Sequence, residues 1–285
     1  MSLRFDTVTV IGVGLLGGSL GLALRERELA GRIRGVGHRR SSLEAALQRG
    51  AIDAAHEDLA EGVADADLIV VCTPAATALA QLAEIRAHCR ADAVVTDVAS
   101  TKSRICAAGR ALWPAPSRFV GSHPMAGSEK FGPEHAVATL YEGSVTFVEP
   151  PADHDPDAYA IVRGLWEALG SRTVEIAPDD HDAVVARTSH IPHIAAACLA
   201  LLAAEQPGAR AAAGGGFRDT TRVAAGRPEI WRDICLTNAE SIGAGLQALS
   251  KLIAEAADAI GRGDATALEA FFERAGEARR QVTEK

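Results

Sequence analysis

The stretch that most constrains this 285-residue chain is "VTVIGVGLLGGSLGLALRERE". A β-branched run over 7–11 leads directly into Gly12-x-Gly14-x-x-Gly17, and an amphipathic helical pattern over 15–28 follows at once. Each glycine has its own task. Gly12 permits a tight turn, Gly14 lets backbone approach a pyrophosphate, and Gly17 lets the helix close on the strand. The helix N-terminus, with Leu15 and Leu16, adds free N–H groups and the positive end of its dipole. A chain that opens this way is expected to form a strand–turn–helix unit that binds a dinucleotide.

The first 176 residues keep that rhythm. β-Branched runs at 33–36, 68–72, 93–98, 118–120, 144–148 and 173–176 alternate with helical patterns such as 42–49 and 77–88. This alternation predicts an α/β fold with a mostly parallel sheet. After Pro178 the texture changes. Long Ala/Leu patterns occupy 182–204, 229–261 and 265–282, and residues 246, 249, 253, 256, 257 and 260 recur at helical spacing. The expectation is a Rossmann-type dinucleotide-binding domain over 1–176. An all-helical domain over 177–285 then binds substrate and forms a homodimer, because its apolar faces exceed what about 110 residues bury alone. Glycines 214–216 are expected to break the helices and open a loop, "GGGFRDTTR".

Composition narrows the partners. With 37 acidic and 29 basic residues the net charge is −8, and no basic stripe invites nucleic acid. No apolar run of about 18 residues is free of charge, so no membrane span is expected. The N-terminus passes directly into a strand pattern without a leader. The five cysteines are scattered and form no C-x-x-C pair, which suits a reduced, cytoplasmic chain.

Strand ends collect the remaining candidates, because ligands of open α/β sheets bind at the carboxyl edge. The second strand ends "GVGHRRSS". An acid there would bind the ribose 2′-hydroxyl of NAD. His38, Arg39, Arg40 and Ser41 suit a 2′-phosphate, so NADP is favoured over NAD, the bland alternative being two solvated arginines opening a surface helix. "VCTPAA" places Thr73 as a helix cap and Pro74 in the first helical turn. "TDVASTKSRI" places Ser100, a helix cap or a catalytic group, and Lys102 at the same edge. "RFVGSHP" brings His123 there in a stiff loop bounded by Pro124 and glycines. An imidazole of ordinary pKa, about 6.5, exchanges a proton near neutrality, and hydride transfer from a carbinol carbon needs such a group. His190 and His193 could be half a metal site, but no third ligand has the spacing, and no metal is expected.

The stretches "VIGVGLLGGSLGLAL", "DVASTK", "GSHPMAGSEKFG", "SHIPHIAA", "GGFRDTTRVA" and "PEIWRDICLTN" run in order over residues 8–238. In these the chain resembles the prephenate/arogenate dehydrogenases of tyrosine biosynthesis. The resemblance implies oxidative decarboxylation of a cyclohexadiene, prephenate or arogenate, with hydride passing to NAD(P). It implies that His123 takes the substrate hydroxyl proton, that Ser100 helps hold it, and that His193 is a second active-site histidine with Ser189 beside it. It places Arg222 on a substrate carboxylate and lines the site with Asp219 and Glu129. No regulatory or mutase module is expected before or after these regions. Two other classes compete. A 3-hydroxyacid dehydrogenase or imine reductase usually carries a lysine in the middle of the first long helix after the sheet, and 182–204 has none. A dinucleotide-binding sensor would not need His123, Ser100, His193 and Arg222 together.

Overall fold

The computed structural model describes residues 3–128 and 130–283. Six strands, β1 (Phe5–Ile11), β2 (Ala30–Val36), β3 (Ala54–His56), β4 (Leu68–Val71), β5 (Val94–Asp97) and β6 (Phe119–Val120), form one parallel sheet in the order 3-2-1-4-5-6. The order reverses direction between β1 and β4, which is where such sheets open a crevice. Five helices connect these strands: α1 (Leu15–Glu26), α2 (Arg40–Gln48), α3 (Leu59–Val63), α4 (Ala75–His88) and α5 (Ser103–Leu112). Both sheet faces are covered at the centre, so β4 is apolar and buried throughout. Leu68 and Val70 of β4 join one core cluster, and Ile69 and Val71 join the other.

At Gly121 the chain leaves this sheet for a second one, built from β7 (Ser122–Pro124), β8 (Val145–Val148) and β9 (Arg172–Glu175). β7 runs antiparallel to β8, and β8 runs parallel to β9 across α6 (Pro156–Ala168). A Cβ at Gly121 would stand 2.3 Å from the Cys106 sulfur, so only glycine fits the crossing. Residues 122–124 are therefore strand, not the loop that their glycine and proline neighbours suggested. Three residues are too few to show an alternating pattern, which is also why β3 went unread.

Beyond β9 the chain is helical. α7 (Pro178–Val185), a π-helical turn (Ala186–His190) and α8 (Ile191–Ala204) form one run, followed by α9 (Ala209–Ala212), α10 (Gly215–Thr221), α11 (Pro228–Thr237), α12 (Ala239–Arg262) and α13 (Ala265–Thr283). The expected loop after Gly214 is instead a helix, with Gly214 at its N-cap. The pattern at 229–261 is divided at Asn238 into α11 and α12. By length and composition alone the run Pro178–Ala204 could cross a membrane. It carries His181, Asp182 and His190 in buried hydrogen bonds, a polar load that hydrocarbon resists. By contacts the chain forms two compact units, 1–239 and 240–285, a later division than the expected 176/177. The first unit reaches 239 because α7 and α11 are tied to the α/β part, Asp182 to the N–H groups of Lys102 and Ser103 and Thr237 to Thr101.

Candidate active site

The dinucleotide edge is built from backbone. Gly12 takes φ +93°, and a Cβ there would stand 2.9 Å from Cys72 and Thr73. A Cβ on Gly17 would stand 2.2 Å from the Gly12 carbonyl oxygen, so the helix can pack this close only without one. Gly14, the N-cap of α1, has nothing within 4 Å of an added Cβ, which leaves open space in front of the helix. No side chain among the described residues caps that terminus, and no acid occupies its first turn. These are the features that a pyrophosphate requires, and the loop fits one. Leu15 and Leu16 are half-buried, and the Leu16 carbonyl accepts from Tyr141 Oη at 2.8 Å.

His38, Arg39, Arg40 and Ser41 are exposed at the β2–α2 turn. Arg40 pairs with Glu44 one helical turn on, at 3.2 Å. At the end of β4, Pro74 is the N-cap of α4 rather than a member of its first turn. Thr73 does not cap that helix. Its hydroxyl donates to Gln81 Oε1 at 2.8 Å.

Ser100 is half-buried in the turn after β5. It is not a helix cap, since α5 begins at Ser103 with Lys102 as N-cap. The cap comes from another element. Asp182 of α7 accepts from the Lys102 N–H at 2.7 Å and the Ser103 N–H at 3.0 Å, placing a carboxylate at the positive end of α5. The Lys102 side chain is itself buried, paired with Asp97 and donating to the Ser122 carbonyl at 2.8 Å. Ser122 Oγ donates to the Asp97 carbonyl at 2.6 Å and accepts from Trp166 Nε1 at 3.0 Å. The residue before His123 is thus fixed on three sides.

His123 is only 8% exposed. Its Nδ1 lies 2.9 Å from His181 Nε2, and His181 Nδ1 lies 2.9 Å from Asp182 Oδ1. Burial, with His181, Lys102 and His190 nearby, pushes the His123 pKa well below the ordinary imidazole value. Its titration therefore lies below the near-neutral range read from the sequence. Burial lowers His181 too, against the pull of Asp182. Burial opposes ionisation of Asp182, but hydrogen bonds from His181, Lys102 and Ser103 outweigh it and hold the carboxyl below its usual range.

His193 Nδ1 donates to the Ser189 carbonyl at 3.0 Å, and its ring stacks on Trp231 with centroids 3.6 Å apart. Its pKa is lowered by burial first, and Arg222 contributes to the lowering. Arg222 is exposed in the 3₁₀ turn after α10, and Asp219 is exposed on α10. Ser189 contributes its backbone carbonyl to the site. Glu129 lies outside the described residues. Among the described residues no group of three His, Cys, Asp or Glu is arranged to hold a metal. Sequence reasoning missed His181, Asp182, Trp231 and Asn238. An acid in the first turns of a helix looks like ordinary dipole compensation, and nothing in "PDDHD" shows that one of its acids points inward.

Residues 20–175 match the nucleotide-binding domain of prephenate dehydrogenases, and residues 177–274 match their dimerization domain. The chain is 35% identical to a prephenate dehydrogenase of Bacillus subtilis over 243 residues, 83% of this chain and 65% of the relative, so it spans just under two thirds of that protein. Among solved structures, prephenate dehydrogenase from A. aeolicus, in complex with hydroxyphenyl propionate and NAD+, superimposes with a TM-score of 0.89 at 29% identity. That match covers 99% of this chain and 100% of the other. Synechocystis arogenate dehydrogenase superimposes with a TM-score of 0.81 at 30% identity, covering 97% and 100%. With a 3-2-1-4-5-6 sheet, a glycine cradle for a dinucleotide and a helical region matched to the dimerization domain, this chain belongs to the prephenate dehydrogenase family of NAD(P)-dependent enzymes.

Proposed function

We propose that this chain oxidises prephenate to 4-hydroxyphenylpyruvate with loss of CO₂, and that it favours NADP over NAD. The observation that carries the reading is His123, a buried imidazole 2.9 Å from His181 whose burial keeps it neutral at pH 7, next to Ser122, whose carbonyl accepts from Lys102. Gly12, Gly14 and Gly17 with the α1 N-terminus would hold the pyrophosphate, and Arg39, Arg40, His38 and Ser41 the adenosine 2′-phosphate. Bound there, the nicotinamide supplies the acceptor for the hydride that leaves the ring carbon bearing the hydroxyl. His123 takes the hydroxyl proton as the C–O bond gains carbonyl character. The ring carboxylate leaves as CO₂, its bonding pair completes the aromatic ring, and the phenolate oxygen so formed recovers the proton from His123. His193, fixed by Ser189 and Trp231, and Arg222 bind the substrate, the latter through a carboxylate, with Asp219 orienting the substrate side chain.

The helical region completes a homodimer, with residue 176 the boundary of the nucleotide-binding domain. Leu201, Leu202 and Leu236 of the first unit and Ile260 and Phe272 of the second are each more than 60% exposed. A dimer mass in light scattering is expected, and a concentration-independent monomer mass overturns this part. The five cysteines are free, in keeping with a reduced cytoplasmic setting. The deciding test is a four-way kinetic comparison of prephenate and arogenate, each with NAD and NADP. Highest kcat/KM with prephenate and NADP is expected. Preference for arogenate would move the chain to the second reading, which the 30% identity with an arogenate dehydrogenase supports.

A further inference from the structure

We infer that His181 and Asp182 form a relay that fixes the tautomer of His123, leaving its Nε2 unprotonated and available to the substrate hydroxyl. The inference rests on His123 being the base. It assigns to His181 a positioning role and to Asp182 the anchoring one.

Asp182 is the fixed end of the relay. Its carboxylate only accepts. Oδ1 accepts from the Lys102 N–H and Oδ2 from the Ser103 N–H, so the group cannot rotate without uncapping α5. Its backbone carbonyl is held in turn by Asn238 Nδ2 at 2.8 Å. His181 Nδ1 lies 2.9 Å from Oδ1 and must therefore carry the proton. A neutral imidazole has one N–H, so His181 Nε2 presents a lone pair. That lone pair faces His123 Nδ1 at 2.9 Å. Two lone pairs facing each other would repel, so His123 Nδ1 carries its proton and donates. His123 Nε2 is then bare.

The surroundings keep His181 in this arrangement. The ring is fully buried, and Phe147, opposite His123 in the β7–β8 register, meets it edge-on at 5.3 Å. When Nε2 takes a proton, His123 becomes an imidazolium. Its Nδ1–H bond to His181 strengthens, because the donor now carries charge and the acceptor is backed by an anion. The relay therefore helps the transition state more than the ground state. It acts through another side chain and touches no substrate atom.

Two measurements test this on the full chain. In ¹⁵N-histidine NMR of the wild-type protein at pH 7.5, with His123 assigned by its loss in His123→Ala, Nδ1 is expected as the protonated nitrogen and Nε2 as the bare one. A protonated Nε2 on His123 overturns the inference whatever the activity. In steady-state kinetics His181→Phe, which fills the site without an acceptor, should lower kcat by about 10- to 100-fold with both KM values little changed. His181→Gln, whose amide oxygen can accept from His123 Nδ1, should recover most of that loss. Equal kcat in the two variants, or full activity in the phenylalanine variant, overturns the relay. If the phenylalanine variant does not fold, the wild-type spectrum still decides. Normal kcat in His123→Ala would instead overturn the base assignment, on which the NMR readout does not depend.

Discussion

The dinucleotide edge and the His123 relay lie in one compact unit and are built in opposite ways. The edge is made by leaving atoms out. Gly12, Gly14 and Gly17 offer backbone and space, and the charged residues beside them are exposed. The relay is made by putting polar groups in. His123, His181, Asp182 and Lys102 are all buried, and each is satisfied by another. A site made of backbone can be read from spacing, since few folds other than a phosphate-binding turn need glycine at these offsets after a strand. A site made of buried polar side chains cannot, because the same residues are common on surfaces.

The largest expected effect separates the two regions kinetically. His123→Ala should lower kcat by ~10²–10⁴-fold, the usual worth of general-base assistance, while the KM of the cofactor stays unchanged. Equal losses in both would mean that the residue shapes the end of β7 rather than the reaction, and the base role would pass to His193. The next effect belongs to the edge alone. Replacing Arg39 and Arg40 with Ala should weaken NADP use by about 1.5–3 kcal/mol and leave NAD use nearly intact. The side chains are solvated, so the lower end of that range is expected. Parallel loss with both cofactors would make them structural and remove the preference for NADP.

A third comparison divides the edge itself. Gly17→Ala forces a methyl against the Gly12 carbonyl and should cost at least ~1–3 kcal/mol of stability, read as a lower Tm. Gly14→Ala meets no protein atom, so its Tm should hold while its cofactor KM rises. A drop in Tm for Gly14→Ala would mean that the loop is closed by protein rather than open to ligand.

A last effect belongs to the relay and its neighbour His190. His123, His181 and His190 are all held below the ordinary imidazole pKa, His190 at about 4, chiefly by burial. In the unfolded chain each titrates near 6.5. As pH falls below about 6.5 the unfolded state binds protons that the folded state refuses, so stability falls with pH. For His190 the loss ends near pH 4, where the folded state protonates as well. Tm should therefore decline between about pH 6.5 and 5, before most carboxylates titrate. A flat Tm over that window would mean that these rings charge freely in the native state.

How much was legible follows the same division. The parallel sheet was readable because both faces are covered, and Leu68–Val71 could hardly be anything but a buried strand. His123 and His193 were found as candidates, the first by its place after a strand and the second through the family resemblance. The strand that carries His123 was not found, because β7 is three residues long and ends in proline. The helix in place of the loop after Gly214 was missed because three glycines carry no helical preference of their own. His181 and Asp182 were invisible because their partners lie 58 and 80 residues away in the chain. Local patterning carries no record of such distances.

The π-helical turn at Ala186–His190 gives the carrying helix a phase. Eight steps separate Asp182 from His190. At about 100° per residue a regular helix would leave them roughly 80° apart, and absorbing one residue in a wider turn reduces this to about 20°. A single atom, Asn238 Nδ2, can then reach both the Asp182 carbonyl and the His190 ring. What aligns these two groups is the wider winding of the turn, set by backbone rather than by any one side chain. Rewinding this turn as regular α-helix with its residue count kept would swing everything after it in the helix, His193 included, by roughly 100° away from the relay, whereas deleting the absorbed residue would restore regular winding and keep the phase. The winding between "HD" and "SHIPH" is thus as much a part of the site as the histidines.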